Sequence, residues 1–198
     1  MAKSLQGLRE DARRCQDCPL WANATQTVFG AGDPHGRVML VGEQPGDEED
    51  RKGLPFVGPA GRLLDRALGA AGIEREQLYV TNTVKHFKWQ LRGKRRLHKT
   101  PAQREVDACH QWLEREVKAI QPHVIVALGS TAAKAVISKD FKVSVQRGPF
   151  VQSPLAPSVF ATFHPSALLR LREEEEREVA FRQLVGDLKL IKKALDRP

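Results

Sequence analysis

Short apolar runs alternate along this chain with longer segments that carry helical signals. This alternation is typical of a mostly parallel β-sheet covered by helices. Residues 123–128 give the clearest strand, because they are apolar on both faces, as in a central parallel strand. The pattern predicts an α/β fold, a three-layer α/β/α sandwich around a four-stranded mostly parallel sheet. The strands are predicted over residues 37–42, 78–82, 123–128 and 158–163.

The segments between the strands are predicted to be helical, except for a long loop after the first strand. A helix passes through residues 63–68, and another runs from Pro101 through Val117 with Thr100 as its N-cap. Residues 131–137 and 173–195 form two more helices. Residues 43–58 are rich in Gly, Pro and acidic side chains, which favours an extended loop.

Polar motifs follow three of the predicted strands. The run from Gly42 to Gly46 follows the first strand, Asn82 ends the second, and His164 follows the fourth. In an open parallel sheet the carboxyl ends of the strands meet at one edge, where such folds bind ligands. We therefore expect these residues to share one site.

Length and composition favour one soluble domain. A chain of 198 residues with 41% hydrophobic content can bury one substantial core, so we expect a single domain over residues 1–198. No stretch approaches the roughly 20 apolar residues that span a bilayer, and residues 1–15 lack an apolar signal-peptide core. The expectation is a cytoplasmic monomer without a membrane partner.

Positive charge is concentrated in residues 85–104. Lys and Arg exceed Asp and Glu by 32 to 24, and this segment holds eight basic residues and no acidic one, which equals the net charge of +8. Such a patch suits a polyphosphate backbone; the alternative is an ordinary solvated charge run. The eight residues are Lys85, Lys88, Arg92, Lys94, Arg95, Arg96, Lys99 and Arg104.

Three cysteines are too few, and odd in number, for a disulfide framework in an intracellular chain. Cys15 and Cys18 are separated by two residues, and Cys109 lies far along the chain. Metal or cluster ligation explains them better than a structural disulfide does.

Several motifs resemble the family 4 uracil-DNA glycosylases. Residues 42–50 read GEQPGDEED and residues 53–61 read GLPFVGPAG, which resembles the first motif of that family. His164-Pro165-Ser166 is similar to the second motif of the superfamily, and residues 80–82 and the Cys15-x-x-Cys18 start match in order and approximate spacing. The resemblance covers nearly the whole chain and implies the uracil-DNA glycosylase fold.

Two departures from the usual family pattern narrow the resemblance. Gln44 stands where the family usually has Ala, and residues 93–99, GKRRLHK, form an added loop. Both features are similar to UdgX, the branch that crosslinks itself to uracil-containing DNA. The resemblance therefore implies excision of uracil, from single strands or from a flipped nucleotide, followed by covalent trapping of the protein.

The resemblance also implies a 4Fe-4S cluster. The family binds it with four cysteines, and the position of the missing one is filled here by His86. The implied ligands are Cys15, Cys18, His86 and Cys109. Two cysteines in Cys-x-x-Cys spacing with a third cysteine and a histidine also make a respectable zinc site, so zinc remains an alternative.

The same resemblance assigns the base-binding residues. Phe56 would stack on uracil, the Asn82 amide would pair with its polar edge, and Glu49 would lie against C5 and reject thymine. Backbone amides beginning at Gly42 would support the base or a phosphate. His164 would donate to uracil O2 as negative charge develops on the leaving base.

His98 is the distinctive residue of the added loop. The resemblance implies that its imidazole attacks C1′, with Glu43 bonded to the other ring nitrogen. Gln44 would hold the loop in place by hydrogen bonding. Phosphate contacts would come from Lys94, Arg95, Arg96 and Lys99.

Two alternatives are also compatible with the sequence. One is a conventional family 4 enzyme with turnover, in which the loop clamps DNA and Glu43 activates water. The other is a non-catalytic iron-sulfur protein that binds nucleic acid through its basic patch.

Overall fold

The computed structural model describes residues 4–195, without the side chains of 193 and 194. Its strands are β1 (Ala31–Gly32), β2 (Val38–Gly42), β3 (Leu78–Asn82), β4 (Trp89–Arg92), β5 (Arg95–His98), β6 (Val124–Leu128) and β7 (Ser158–Thr162). Its α-helices are α1 (Leu5–Ala12), α2 (Asp47–Lys52), α3 (Pro59–Ala70), α4 (Gln103–Ile120), α5 (Ser130–Val136), α6 (Val143–Gln146), α7 (Pro165–Leu168) and α8 (Glu174–Leu195). Short 3-10 turns cover Pro19–Ala22 and Arg75–Gln77.

The predicted four-stranded parallel sheet forms the centre of the fold. Its strands lie in the order β3-β2-β6-β7, and all three neighbouring pairs are parallel. The sequence pattern missed a fifth strand, β1, which adds two residues antiparallel to β3 at one edge. Two residues are too short for a periodicity of two to be recognised.

Helices cover both faces of the sheet, as the three-layer prediction requires. Successive side chains of a strand point to opposite faces, so Val38 and Leu40 pack with residues of α3, α7 and α8. Met39 and Val41 face the other way and pack with residues of α4 and α5. Within residues 4–195, no helix is long and apolar enough to cross a bilayer.

The order of the strands fixes where a ligand can bind. The chain passes from β2 to β3 on one side, and then crosses to the other side of β2 to form β6. Ligands of open α/β sheets occupy the crevice at the carboxyl ends of the strands where this reversal occurs. Here the crevice lies beyond Gly42 and Leu128, the last residues of β2 and β6.

Three local predictions need correction. The supposed loop over residues 43–58 contains α2, whose six residues are too few for a helical period to show. The added basic loop is a β-hairpin of β4 and β5, in which Gly93 has a φ of 59° at the first position of a two-residue turn. The helix predicted from Pro101 begins at Gln103 instead of being capped by Thr100, and the Glu105 carboxylate accepts the Ala102 N–H at 2.7 Å.

Candidate active site

A cavity of about 680 Å³ occupies the crevice at the carboxyl edge of the sheet. Its walls come from the loop after β2, the end of β3, the hairpin, the start of α5 and the loop after β7. The polar and aromatic residues that line it include Glu43, Gln44, Glu49, Phe56, Asn82, His98, Thr131 and His164. The shared site expected from the strand ends is therefore present, and the structure adds Thr131 to it.

A larger groove of about 870 Å³ lies between α7 and α8. It shares Phe163 and Ala167 with the lining of the first cavity, but its described lining residues include none of the polar and aromatic residues named above. Its walls are apolar, apart from Gln183 and four consecutive glutamates at residues 173–176. No histidine or cysteine is among its lining residues within the described chain. The smaller cavity is therefore the candidate active site.

One wall of the cavity is formed by an aromatic ring and a side-chain amide. Phe56 and Asn82 are both buried, and the Asn82 Oδ1 atom has no hydrogen-bond partner among the described residues. Gly42 lies between them: a Cβ added there would collide with Asn82 Oδ1 and with the Phe56 ring. An unpaired buried acceptor costs about 1–3 kcal/mol, so Asn82 is poised for a donor that is supplied from outside.

The backbone of Phe56 is held in an unusual conformation. Its φ of 54° lies in the left-handed region, which is rare for a bulky residue. The Arg75 guanidinium donates to the carbonyl of Phe56 at 3.0 Å and to that of Pro55 at 2.9 Å. Strained residues cluster at functional sites where the surroundings over-determine them. Arg75 is a support that sequence reasoning missed, because it lies 19 residues away in the chain.

His164 is held as a neutral donor that faces the cavity. Its Nδ1 accepts the Ser166 backbone N–H at 3.1 Å, so the neutral ring carries its proton on Nε2. Burial lowers the pKa of His164 to about 4, partly offset by the negative charge of Glu43. The ring lies 5.8 Å from that of Phe56, between centroids. At neutral pH this residue can donate a hydrogen bond without carrying charge.

Glu43 connects three elements of the site. One carboxylate oxygen, Oε1, lies 3.2 Å from His98 Nε2, and the other, Oε2, accepts the Thr131 hydroxyl at 2.5 Å. Burial alone would raise the pKa of Glu43, but hydrogen bonds from His98 and Thr131 and the charges of His98 and His164 outweigh it. The pKa of Glu43 therefore lies below its ordinary value. Glu43 is an anionic hydrogen-bond acceptor beside the imidazole.

Gln44 ties the root of the hairpin to the loop after β2. Its amide nitrogen donates to the carbonyls of Lys88 at 3.2 Å and Lys99 at 3.0 Å, and its oxygen accepts the Lys88 N–H at 3.0 Å. The hydrogen bonding expected between Gln44 and the added segment is present. It fixes the two ends of the hairpin next to the cavity, and therefore places His98 there.

Arg96 faces the protein, whereas the sequence predicted it to contact phosphate. Its guanidinium pairs with Asp47 at 2.5 Å and with the fully buried Asp50 at 2.7 Å. It also stacks near the rings of Phe87 and Trp89. With 13% of its side chain exposed, Arg96 binds the hairpin to α2. The alternation of side chains along β5 turns it inward on the face that carries His98.

Two further charges of the predicted basic patch are also neutralised inside the protein. Lys85 is buried and pairs with the buried Glu116 at 2.5 Å, and Lys88 pairs with Glu105 at 2.8 Å. The patch is therefore smaller than the sequence suggests, because tertiary contacts supply partners that the segment itself lacks. The basic residues that remain exposed are Arg92, Lys94, Arg95, Lys99 and Arg104.

Glu49 lines the cavity, but its carboxylate already has partners. One oxygen accepts the Gly46 N–H at 3.1 Å and the other accepts the Gly58 N–H at 2.8 Å. These bonds join the start of α2 to the start of α3. Glu49 therefore holds the shape of this wall.

The three cysteines gather in one apolar cluster formed by α1, α4 and the following loops. The Trp112 indole N–H points at Cys15 Sγ, and the Lys85 backbone N–H points at Cys109 Sγ, each at 3.2 Å. Burial raises the pKa of Cys109 to about 12 and that of Cys15 and Cys18 above its ordinary value. As free thiols, all three would be neutral at physiological pH.

His86 is buried close to the same region, and its Nε2 bonds the Thr27 hydroxyl at 2.9 Å. Burial lowers its pKa, so the ring is neutral, as a metal-ligating imidazole must be. In the part of the chain described, no three His, Cys, Asp or Glu side chains converge into a metal-binding group. N–H groups directed at sulfur are a feature of iron-sulfur sites, so the chemistry of these side chains suits a cluster. Their arrangement in this structure does not bring them together around one point.

Comparisons with known proteins identify the family of this chain. Residues 29–189 match the family model of the uracil DNA glycosylase superfamily. A type-4 uracil-DNA glycosylase of Thermotoga maritima is 38% identical over 185 residues, which cover 93% of each chain. One of Sulfurisphaera tokodaii is 36% identical over 84% of this chain and 76% of the relative. A type-5 uracil-DNA glycosylase of Pyrobaculum aerophilum is 30% identical over 75% and 69%. The chain belongs to the uracil-DNA glycosylase superfamily.

Proposed function

We propose that this protein excises uracil from DNA and that His98 then bonds covalently to the abasic sugar. The observation that carries the proposal is the contact between His98 and Glu43, 3.2 Å apart at the cavity that also contains Phe56, Asn82 and His164. Relatives named as type-4 uracil-DNA glycosylases, 34–38% identical to this chain, support the first half.

The cavity suits a pyrimidine that has left the base stack. Such a base would enter from a single strand or by flipping out of a duplex. Asn82 would accept the N3–H of uracil through Oδ1 and donate to the neighbouring carbonyl through its NH₂ group. Cytosine has no N3–H and presents an amino group instead of that carbonyl, so it would leave both amide atoms mismatched. Phe56 would stack on the ring.

The rigid wall at Glu49 would give selectivity against thymine. Because the Gly46 and Gly58 amides hold its carboxylate, the Glu49 side chain would not move aside easily for a methyl group at C5. Because Gly42 has no side chain, the base would have room to lie between Phe56 and Asn82.

His164 would stabilise the departing base. Its Nε2–H is preorganised by the bond from Ser166 to Nδ1, and it would donate to uracil O2 as the anion forms. A neutral N–H donor can stabilise the developing charge by hydrogen bonding, without transferring its proton.

The covalent step consumes no water. The N1–C1′ bond breaks and its electron pair leaves with uracil, while the lone pair of one His98 ring nitrogen forms a bond to C1′. The other ring nitrogen, Nε2 in this arrangement, keeps its proton directed at Glu43, which offsets the positive charge that develops on the imidazole. Uracil takes up a proton from solvent.

A hydrolytic reaction with turnover is the second candidate. The named relatives favour it, and the Glu43 carboxylate reaches the same cavity with a pKa below its ordinary value, so it is ionised and can accept a proton from water. The two candidates differ in whether the protein remains attached to the product.

Phosphates would be held by the exposed basic residues of the hairpin region. Lys94 and Arg95 stand at its turn, and Lys99 follows β5. Arg96 would act on DNA indirectly, by fixing the hairpin to α2.

We also propose a 4Fe-4S cluster bound by Cys15, Cys18, Cys109 and His86. The location of the three cysteines in one cluster, and the N–H groups that point at two of their sulfur atoms, support it. Lys85 and His86 immediately precede Phe87 and the hairpin, so ligation there would stabilise the root of the segment that carries His98. Zinc is the alternative occupant, since the donor set also suits it.

Incubation with a single-stranded oligonucleotide that contains one uracil tests the proposal. After boiling, denaturing electrophoresis should show a protein-DNA species that is absent with the thymine oligonucleotide, together with release of free uracil. Release of uracil without that species would support the hydrolytic candidate. DNA binding indifferent to uracil, with no free base, would contradict both and support a non-catalytic nucleic-acid-binding protein.

A further inference from the structure

The Glu43 carboxylate is bonded on both oxygens, and the two bonds come from different elements. His98 at the end of β5 approaches Oε1, whereas Thr131 in the first turn of α5 donates its hydroxyl to Oε2. The hydroxyl of Thr131 has its hydrogen bond with Glu43 and lies in the lining of the same cavity. Its hydroxyl bond to the carboxylate is among the shortest in the structure, at 2.5 Å.

We propose that Thr131 is a positioning residue that acts through Glu43: its hydroxyl fixes the carboxylate so that the opposite oxygen faces His98. The inference rests on the proposed roles of Glu43 and His98. It assigns to the start of α5 a part in the reaction that is exerted through Glu43.

The fold makes this arrangement rigid. Glu43 follows β2 and Thr131 follows β6, and these strands are direct parallel neighbours with Val41 opposite Ala127. The separation between the two side chains is therefore set by the sheet. A glutamate side chain has three rotatable bonds, and a bond to one oxygen removes the freedom to turn the other away from His98.

The chemical consequence concerns the imidazole. If Oε1 faces Nε2, the ring proton stays on Nε2 and the lone pair stays on Nδ1, which is then available for C1′. If the carboxylate rotates away, neither tautomer is favoured by Glu43, and the positive charge of the alkylated ring loses its nearby anion. Thr131 would therefore affect bond formation more than release of the base, in which His164 has the main part.

The electrostatics of the site give a second consequence. Glu43 is faced by His98 from the hairpin and by His164 from the loop after β7, and His164 is in turn near the charge of Arg170, which follows α7. The Thr131 hydroxyl is one of the groups that lower the pKa of Glu43 against the effect of burial. Removal of the hydroxyl should raise the pKa of Glu43, so the acid limb of adduct formation should move to higher pH.

T131V and T131S test the inference, since valine keeps the shape of threonine without the donor and serine keeps the donor. With a uracil oligonucleotide under single-turnover conditions, T131V should slow adduct formation about tenfold or more, as expected for loss of one bond to a charged group. Uracil release should fall less. T131S should restore the rate and the position of the acid limb to those of the unchanged protein.

A purely structural role for Thr131 would give a different result. T131V would then lower the melting temperature without moving the acid limb, and serine, which lacks the methyl group, would not rescue it. That result would overturn the inference.

A measurement without DNA separates this inference from the proposed function. The Glu43 carboxyl can be titrated by carbon NMR in the unchanged protein and in T131V. A higher pKa of Glu43 in T131V supports the positioning role even if no adduct ever forms, and an unchanged pKa overturns it even if the protein crosslinks as proposed.

Discussion

His98 and Glu43 meet across the cavity with 3.2 Å between the imidazole Nε2 and the carboxylate Oε1. One residue belongs to the hairpin and the other to the loop after β2, 55 positions apart in the sequence. It turns an exposed histidine of a basic segment into a candidate nucleophile with a fixed tautomer.

His98→Ser should remove the adduct that survives boiling and leave some uracil release, because the bond of Ser166 to His164 is intact. We expect adduct formation to fall about 100-fold or more, as for loss of a nucleophile. Denaturing gels and free uracil should be measured on the same samples. His35→Ser, an exposed histidine at the opposite edge of the sheet, should behave as the unchanged protein. An adduct of normal yield in H98S would place the nucleophile elsewhere.

Asn82→Leu should abolish uracil recognition and stabilise the fold. The substitution removes a buried acceptor that has no partner among the described residues, so the free energy of unfolding should rise by about 1 kcal/mol. Urea unfolding and the rate of uracil release should be measured together. The matched control is Thr83→Val, since the Thr83 hydroxyl donates to the Gly42 carbonyl at 2.9 Å. T83V should lose about 1 kcal/mol, and a loss in N82L as well would contradict the prediction.

Arg96→Met should release the hairpin from α2. It removes the partner of a buried carboxylate, Asp50, so we expect the free energy of unfolding to fall by about 2–3 kcal/mol. Adduct formation should slow because His98 lies two residues further along the same strand. Urea unfolding and single-turnover gels check both effects.

Arg95→Met is the comparison for the neighbouring charge. Arg95 is exposed, so its loss should leave the free energy of unfolding unchanged within about 0.5 kcal/mol. The affinity for DNA should fall. In a plot of the logarithm of the binding constant against the logarithm of the salt concentration, the slope should become shallower by about one unit. If R96M and R95M gave the same pattern, the anchoring role of Arg96 would be wrong.

The fold should lose stability in acid because of His164. Its pKa is lowered to about 4 from an ordinary 6.5, so between these pH values the unfolded chain binds a proton that the folded protein does not. The contribution of His164 is therefore present above pH 6.5 and falls as the pH drops towards 4, by up to about 3 kcal/mol in total. Urea unfolding at both ends of this window should show a smaller loss in His164→Gln, which cannot gain that proton. An equal loss in H164Q would contradict the assignment.

The proposed cluster should colour the purified protein brown, with about four iron atoms per chain and matching sulfide. Cys109→Ser should lose both the iron and the visible absorption, and His86→Gln should weaken them. His35→Gln should leave them unchanged. A colourless protein that holds about one zinc ion would favour the zinc alternative.

Gln44→Ala isolates the root of the hairpin. The variant loses three hydrogen bonds that join the loop after β2 to Lys88 and Lys99. We expect adduct formation to fall more than uracil release does, since His98 depends on the hairpin and Asn82 and His164 do not. Parallel gels and uracil assays check this, and an equal fall in both would argue against the anchoring role.

The amino-acid sequence by itself determined the layered architecture and the edge that carries the site. Continuous apolar runs can be buried only under two layers of helices, and this constraint is local enough to be read from the chain. The strand predicted over residues 78–82 therefore matches β3 to the residue. Polar residues that follow such strands must lie at one edge of the sheet, so the sequence alone could predict that Glu43, Asn82 and His164 share a site.

Tertiary structure alone decided which charges are available and which side chains act in pairs. Arg96 and Lys85 look like equal members of a basic run, yet one pairs with Asp50 and the other with Glu116, both distant in sequence. Thr131 looks like an ordinary helix start until β6 is placed beside β2 and its hydroxyl meets Glu43. Pairing energies depend on distances between segments, and hydrophobic periodicity carries no information about those distances.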